Sequence, residues 1–167
     1  MRDAAEFTEF VATRSSALLR TAYLLTGDRH LAEDLLQTAL IKAYPQWGGL
    51  REPRAAESYV RTAMVRTLIN WRKRRAWSRE TLAATPPDLP TTAADDVETR
   101  SRLWPIVLTL PPRQRAVVVL RYYEDLTESQ TAAILGCSTG TVKSHNSRAL
   151  QTLRARLADA EDVRRLS

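Results

Sequence analysis

Two stretches of the chain carry side chains suited to nucleic-acid chemistry. In TGTVKSHNSR (139–148), Gly140, Thr141, Ser144, Ser147 and Arg148 share one side of a helical wheel with Gln151, and Lys143 stands at the flank. Arg bonds guanine in bidentate fashion, while Ser, Thr and Lys reach base edges or phosphates. Thr139 lies in the first turn, where backbone amides attract a phosphate. The second stretch is SYVRTAMVRTLINWRKRRAWSR (58–79). It has no acid, seven cations (Arg61, Arg66, Arg72, Lys73, Arg74, Arg75 and Arg79) and interleaved Tyr59, Trp71 and Trp77. Cations neutralise phosphates, and aromatic faces stack on unpaired bases.

Catalytic chemistry is not offered on the same scale. The sequence shows no paired carboxylates in an apolar setting, no phosphate-cradling glycine loop and no activated nucleophile. His30 and His145 lack metal-ligand spacing, and Cys137 stands where a turn wants a small residue. A redox-active or hydrolytic enzyme built on these three is the weaker reading; no enzyme, metal or cofactor is expected.

The elements that must position the first stretch are two helices and a turn. Thr127 opens Thr-Glu-Ser-Gln, a capping box that starts a helix. Ala132, Gly136 and Val142 supply the small residue at a helix crossing, the turn glycine and the branched apolar anchor of a helix-turn-helix. Ser138 is a candidate cap for the second helix. That helix is expected to bury Val142, Ala149, Leu150, Leu153 and Leu157, and Asn146 near the centre of this face needs a hydrogen-bond partner. The alternative is an ordinary helical hairpin with a glycine turn, whose polar row would be the solvated face of a surface helix.

Upstream, Phe7, Phe10, Val11, Leu18, Thr21, Ala22 and Leu25 follow helical spacing, and Gly27 offers a left-handed stop. Asp28 can cap a second helix carrying Leu31, Leu35, Ala39 and Ala43, ended by Pro45 and the Gly48-Gly49 pair. A third helix is expected from about Glu57 to Trp77, a short one near 98–109 interrupted by Pro105, and one from Pro112 to about Glu124. No stretch alternates with period two. The fold class is all-α: two small helical domains joined by a flexible, Pro-containing linker, the second with the helix-turn-helix.

Charge divides the chain in the same way. Residues 1–77 carry 13 basic and 8 acidic residues, 78–100 carry 2 and 5, and 101–167 carry 10 and 6. The overall charge of +6 favours polyanionic partners, but 22 of the 25 basic residues are Arg and Ala is abundant, a bias that a GC-rich genome produces by itself; position therefore counts for more than the total. TLAATPPDLPTTAADDV (81–97), with three prolines and no aromatic residue, reads as an extended tether. Its 17 residues reach at most about 55–60 Å, more than one DNA turn of roughly 34 Å. Boundaries of 1–78, 79–97 and 98–167 follow. No apolar run approaches a membrane span and no signal pattern opens the chain, so a cytoplasmic protein with no membrane partner is expected.

The chain resembles the small two-domain bacterial sigma factors of the extracytoplasmic-function (ECF) group, in particular the short actinobacterial SigE-like subfamily. LLRTAYLLTGDRHLAEDLLQTALIKAY is similar to the group's core-polymerase-binding segment. SYVRTAMVRTLINWRKRR resembles its minus-ten promoter helix, and LPPRQRAVVVLRYYEDLTESQTAAILGCSTGTVKSHNSRALQTLR its minus-thirty-five domain. The resemblance implies core polymerase binding through Glu33, Asp34, Gln37 and Lys42. It implies minus-ten contacts from Tyr59, Arg61, Arg66, Asn70, Trp71, Arg72, Lys73, Arg74 and Arg75, and minus-thirty-five contacts from Thr139, Gly140, Thr141, Lys143, Ser144, Ser147 and Arg148. Core RNA polymerase and promoter DNA are the implied partners, an anti-sigma factor a further candidate, and polymerase would do the catalysis. The rival is a stand-alone operator-binding regulator, which normally dimerises on two half-sites; the sequence offers no dimer seam for one.

Overall fold

The computed structural model describes residues 2–50, 52–78 and 97–165, with side chains described for 3–50, 52–75 and 103–161. Seven α-helices are described: α1 Arg2–Thr26, α2 Arg29–Ala43, α3 Pro53–Ser78, α4 Val97–Leu108, α5 Pro112–Val118, α6 Glu128–Leu135 and α7 Thr139–Arg165. They fall into two compact units, Met1–Pro87 and Asp88–Ser167. The expected linker lies outside the described residues except for Val97, which opens α4. Among the described residues no helix is long and apolar enough to cross a membrane.

The first unit packs α1, α2 and α3 around one core. Gly27 takes a φ of 72° and donates its N–H to the Tyr23 carbonyl at 2.7 Å, closing α1. Asp28 then accepts the Leu31 N–H at 2.9 Å and starts α2. Ala32, Ala39 and Ala43 are completely buried, and their small size lets neighbouring helices approach closely. Leu18, Leu25, Leu35, Val60 and Met64 fill the space between. After α2 the backbone does not simply stop at the proline. It tightens into a 3-10 turn over Tyr44–Gly49 with Pro45 inside its first turn, where no N–H is needed. Phe7 and Phe10 of α1 hold Trp47 of that turn, ring centroids 5.1 and 5.0 Å away. Pro53 starts α3 a full turn earlier than the apolar pattern suggested, again by supplying a preset φ at the first helical position.

The second unit contains two linked apolar clusters. Val107, Leu110, Val118, Ala149 and Leu153 form one; Val117, Ala132 and Val142 form the other, with Leu135 and Cys137 packed against it. Pro105 does not interrupt α4, which continues to Leu108. Burial of Val107 and Leu110 just beyond it offsets the hydrogen bond that proline cannot donate. Arg115 is buried and donates from Nη1 to the Leu108 carbonyl at 2.8 Å, satisfying an α4 terminus that would otherwise be orphaned. The helix expected to run to Glu124 is α-helical only to Val118; Val119–Tyr123 form a π-helical turn, closed by the Glu124 N–H on the Val119 carbonyl at 3.0 Å. Asp125 leaves it at a φ of 55°, a left-handed conformation Asp tolerates, and the chain re-enters a helix at Thr127.

Candidate nucleic-acid and polymerase interfaces

The helix-turn-helix is assembled by local hydrogen bonds. Thr127 accepts the Gln130 N–H at 3.1 Å while the Gln130 side chain accepts the Thr127 N–H at 2.9 Å, so each end of the capping box satisfies the other. Gly136 adopts φ 65°, where any Cβ would be strained, and turns the chain toward α7. Ser138 caps α7 by accepting the Thr141 N–H at 3.1 Å.

Along α7, Val142, Ala149 and Leu153 face the core, with Leu150 and Leu157 half-buried. On the opposite side Thr139, Gly140, Lys143, Ser144, Ser147, Arg148 and Gln151 are exposed. Thr141 departs from the expected row: it is half-buried, its amide goes to the cap, and its hydroxyl lies 2.9 Å from that of Ser138. Asn146 finds its partner in Tyr122, donating from Nδ2 to the phenol oxygen at 3.0 Å. Tyr122, 52% exposed and with the Arg121 guanidinium 5.8 Å from its ring centre, had no distinctive signal in the sequence. His145 is half-buried, and its pKa is lowered by burial, then by the positive charges of Arg113 and Arg148.

The basic block forms much of α3, and the structure divides its members. Tyr59, Arg66, Asn70 and Lys73 are exposed at helical spacing on one face, with Arg74 and Arg75 exposed beside them. Trp71 is half-buried. Arg72 reaches back to α1 and donates from Nη2 to the Leu25 carbonyl at 3.3 Å. Arg61 pairs with Glu57 at 3.5 Å, and Glu57 also meets Arg14 at 3.8 Å. Arg61 and Arg72 thus have structural duties that composition could not reveal. The side chains of Trp77 and Arg79 lie outside the described residues.

On α2, Glu33, Asp34 and Gln37 are exposed, Glu33 pairing with Arg29 at 3.3 Å. Lys42 is tied to α3 through a 2.8 Å bond from Nζ to Thr67 Oγ1. Ile41, 67% exposed, and Tyr44, 49% exposed, extend the row from Asp34 and Gln37 at spacings of four and three. An apolar residue at those spacings on a polar ridge was the available signal for them. Among the described residues no group of His, Cys, Asp or Glu could hold a metal ion.

Comparison with known proteins decides what these surfaces belong to. Residues 10–78 match the family described as Sigma-70 region 2, and residues 107–155 that described as Sigma-70, region 4. The RNA polymerase sigma-E factor of Streptomyces avermitilis is 42% identical over 96% of this chain and 90% of its own length. The chain belongs to the sigma-70 family. Within it the sigma factor stands in the ECF group, similar also to the sigma-E factor of Streptomyces coelicolor (41% identity, 94% of this chain and 89% of that protein). The fold is shared with the sigma factor RpoE solved in complex with the anti-sigma factor NepR from Bartonella quintana. There the TM-score is 0.71 at 23% identity, over 92% of this chain and 97% of that one. CnrH, solved with the cytosolic domain of CnrY, gives a TM-score of 0.59 at 20% identity over 92% and 88%. As a sigma factor the protein is a transcription initiation factor: it binds core RNA polymerase and directs it to promoter DNA. The stand-alone regulator is not favoured.

Proposed function

We propose that the sigma factor divides its work between the two units. The first, residues 1–78, docks on core polymerase through Glu33, Asp34 and Gln37, with Ile41 and Tyr44 as the apolar part of the same surface. Its α3 face, Tyr59, Arg66, Asn70, Lys73, Arg74 and Arg75, captures the minus-ten element and helps melt it, Trp71 adding a stacking surface. The second unit, residues 98–167, reads the minus-thirty-five duplex with Ser144, Ser147 and Arg148, while Thr139, Gly140 and Lys143 hold the backbone. The chain itself contributes no catalysis and acts beside polymerase in the cytoplasm. An anti-sigma factor is a further partner, as RpoE and CnrH were solved with protein partners.

The observation that carries this reading is the two-sidedness of α7: Val142, Ala149 and Leu153 buried, and Lys143, Ser144, Ser147 and Arg148 exposed opposite them. The docking half is tested by competition for core polymerase. Asp34→Arg should lower core affinity and leave binding of the minus-thirty-five duplex by the full chain unchanged. Undiminished core affinity in both Asp34→Arg and Ile41→Lys would place docking elsewhere.

A further inference from the structure

From Leu126 to Ala158 the helix-turn-helix region has one acidic residue, Glu128, among Lys143, Arg148, Arg154 and Arg156. It stands in the first turn of α6, the helix that crosses the DNA backbone when a helix-turn-helix is seated. Its Oε2 lies 3.8 Å from Lys143 Nζ, with the two side chains 35% and 66% exposed. A carboxylate here repels phosphate and occupies a cation of the reading helix. It is not needed to cap α6, because Thr127 and Gln130 already form the capping box.

We infer that Glu128 is a positioning residue that tempers promoter affinity: it holds Lys143 on the protein when DNA is loosely engaged and must release it to a phosphate when α7 is fully seated. The inference rests on the reading of Lys143 as a phosphate contact. In a loose complex the intramolecular carboxylate is nearer than any phosphate, so Lys143 neutralises nothing on the DNA. At the correct sequence, contacts from Ser144, Ser147 and Arg148 draw the backbone within reach, and the exchange becomes favourable. Breaking the pair is a cost borne only at the right sequence, so Glu128 weakens promoter binding more than binding to wrong sequences.

The test uses reconstituted holoenzyme with a promoter duplex selected by run-off transcription and the same duplex with its minus-thirty-five element scrambled. Glu128→Gln should raise promoter affinity by about two- to fivefold, the size of an exposed ion pair, and raise affinity for the scrambled duplex by clearly less. The salt dependence on the scrambled duplex should steepen by about 0.9 in log–log slope, one extra phosphate neutralised. Lys143→Met in the Glu128→Gln background should cancel both changes. If Glu128 merely stabilised α6, thermal unfolding would shift and the slope would not. Equal gains on both duplexes at unchanged slope would overturn the inference and leave Glu128 a background charge. If Lys143→Met weakens promoter binding while Glu128→Gln changes nothing, the inference fails and the phosphate reading stands. If Lys143→Met has no effect in either background, both fail.

Discussion

Arg72 tests the proposed division of the basic block into structural and DNA-contacting cations. Its guanidinium donates to the Leu25 carbonyl at 3.3 Å, at the C-terminal end of α1, where a positive charge also complements the helix dipole. A hydrogen bond from a charged group contributes about 1.5–3 kcal/mol when well formed and buried. At this length and with the side chain half-buried, Arg72→Ala should cost about 1–2 kcal/mol, the dipole contribution included. For a unit of this size that is a fall in Tm of about 4–16 °C. Arg74 is exposed, and Arg74→Ala should leave stability within about 0.5 kcal/mol of the parent. It should instead flatten the salt dependence of minus-ten single-strand binding by about 0.7. Circular dichroism melts of the full chain and oligonucleotide binding by holoenzyme measure the two effects separately. An unchanged Tm for Arg72→Ala, with a loss of oligonucleotide affinity equal to that of Arg74→Ala, would refute the assignment.

Three further outcomes are expected. Arg148→Ala should cost about 1–3 kcal/mol at one base position and relax choice there, as measured by binding to single-base promoter variants; uniform weakening across all variants would make Arg148 a phosphate contact. Tyr59→Ala with Trp71→Ala should impair open-complex formation more than initial binding, at about 1–3 kcal/mol per stacked base, and a pre-melted minus-ten bubble should restore activity. Equal losses on closed and pre-melted templates, with melting of the protein unchanged, would reject the stacking role. Burial and the nearby Arg113 and Arg148 lower the His145 pKa from 6.5, so the unfolded chain takes up its proton first as pH falls. Stability of the second unit should therefore decline as pH drops through and below about 6.5, and His145→Gln should flatten that decline in a pH series of thermal melts.

What could be read from the sequence was local. The Thr127–Gln130 capping box, the Gly27 and Gly136 stops and the Asp28 and Ser138 caps each depend on residues within four positions, and each is found where the pattern placed it. What escaped depended on partners far along the chain. Lys42 meets Thr67 and Arg72 meets Leu25, contacts made only once three helices pack, so neither duty could be read from composition. Likewise Tyr122 and Asn146 are 24 positions apart; Asn146 could be singled out as needing a partner, but not Tyr122 as supplying it. The π-helical turn at Val119–Tyr123 escaped because its apolar run fits an α-helix equally well. Ile41 was hidden for the opposite reason: an apolar residue on a helix reads as core until the helix is placed.

This chain turns core polymerase into a promoter-specific enzyme. Run-off transcription with purified core polymerase and a genomic promoter library tests it most directly. Discrete transcripts should appear only when the chain is added, share spaced minus-thirty-five and minus-ten elements, and diminish with Asp34→Arg and Arg148→Ala. Sequence-specific duplex binding by the chain with no core binding and no chain-dependent transcript would contradict it.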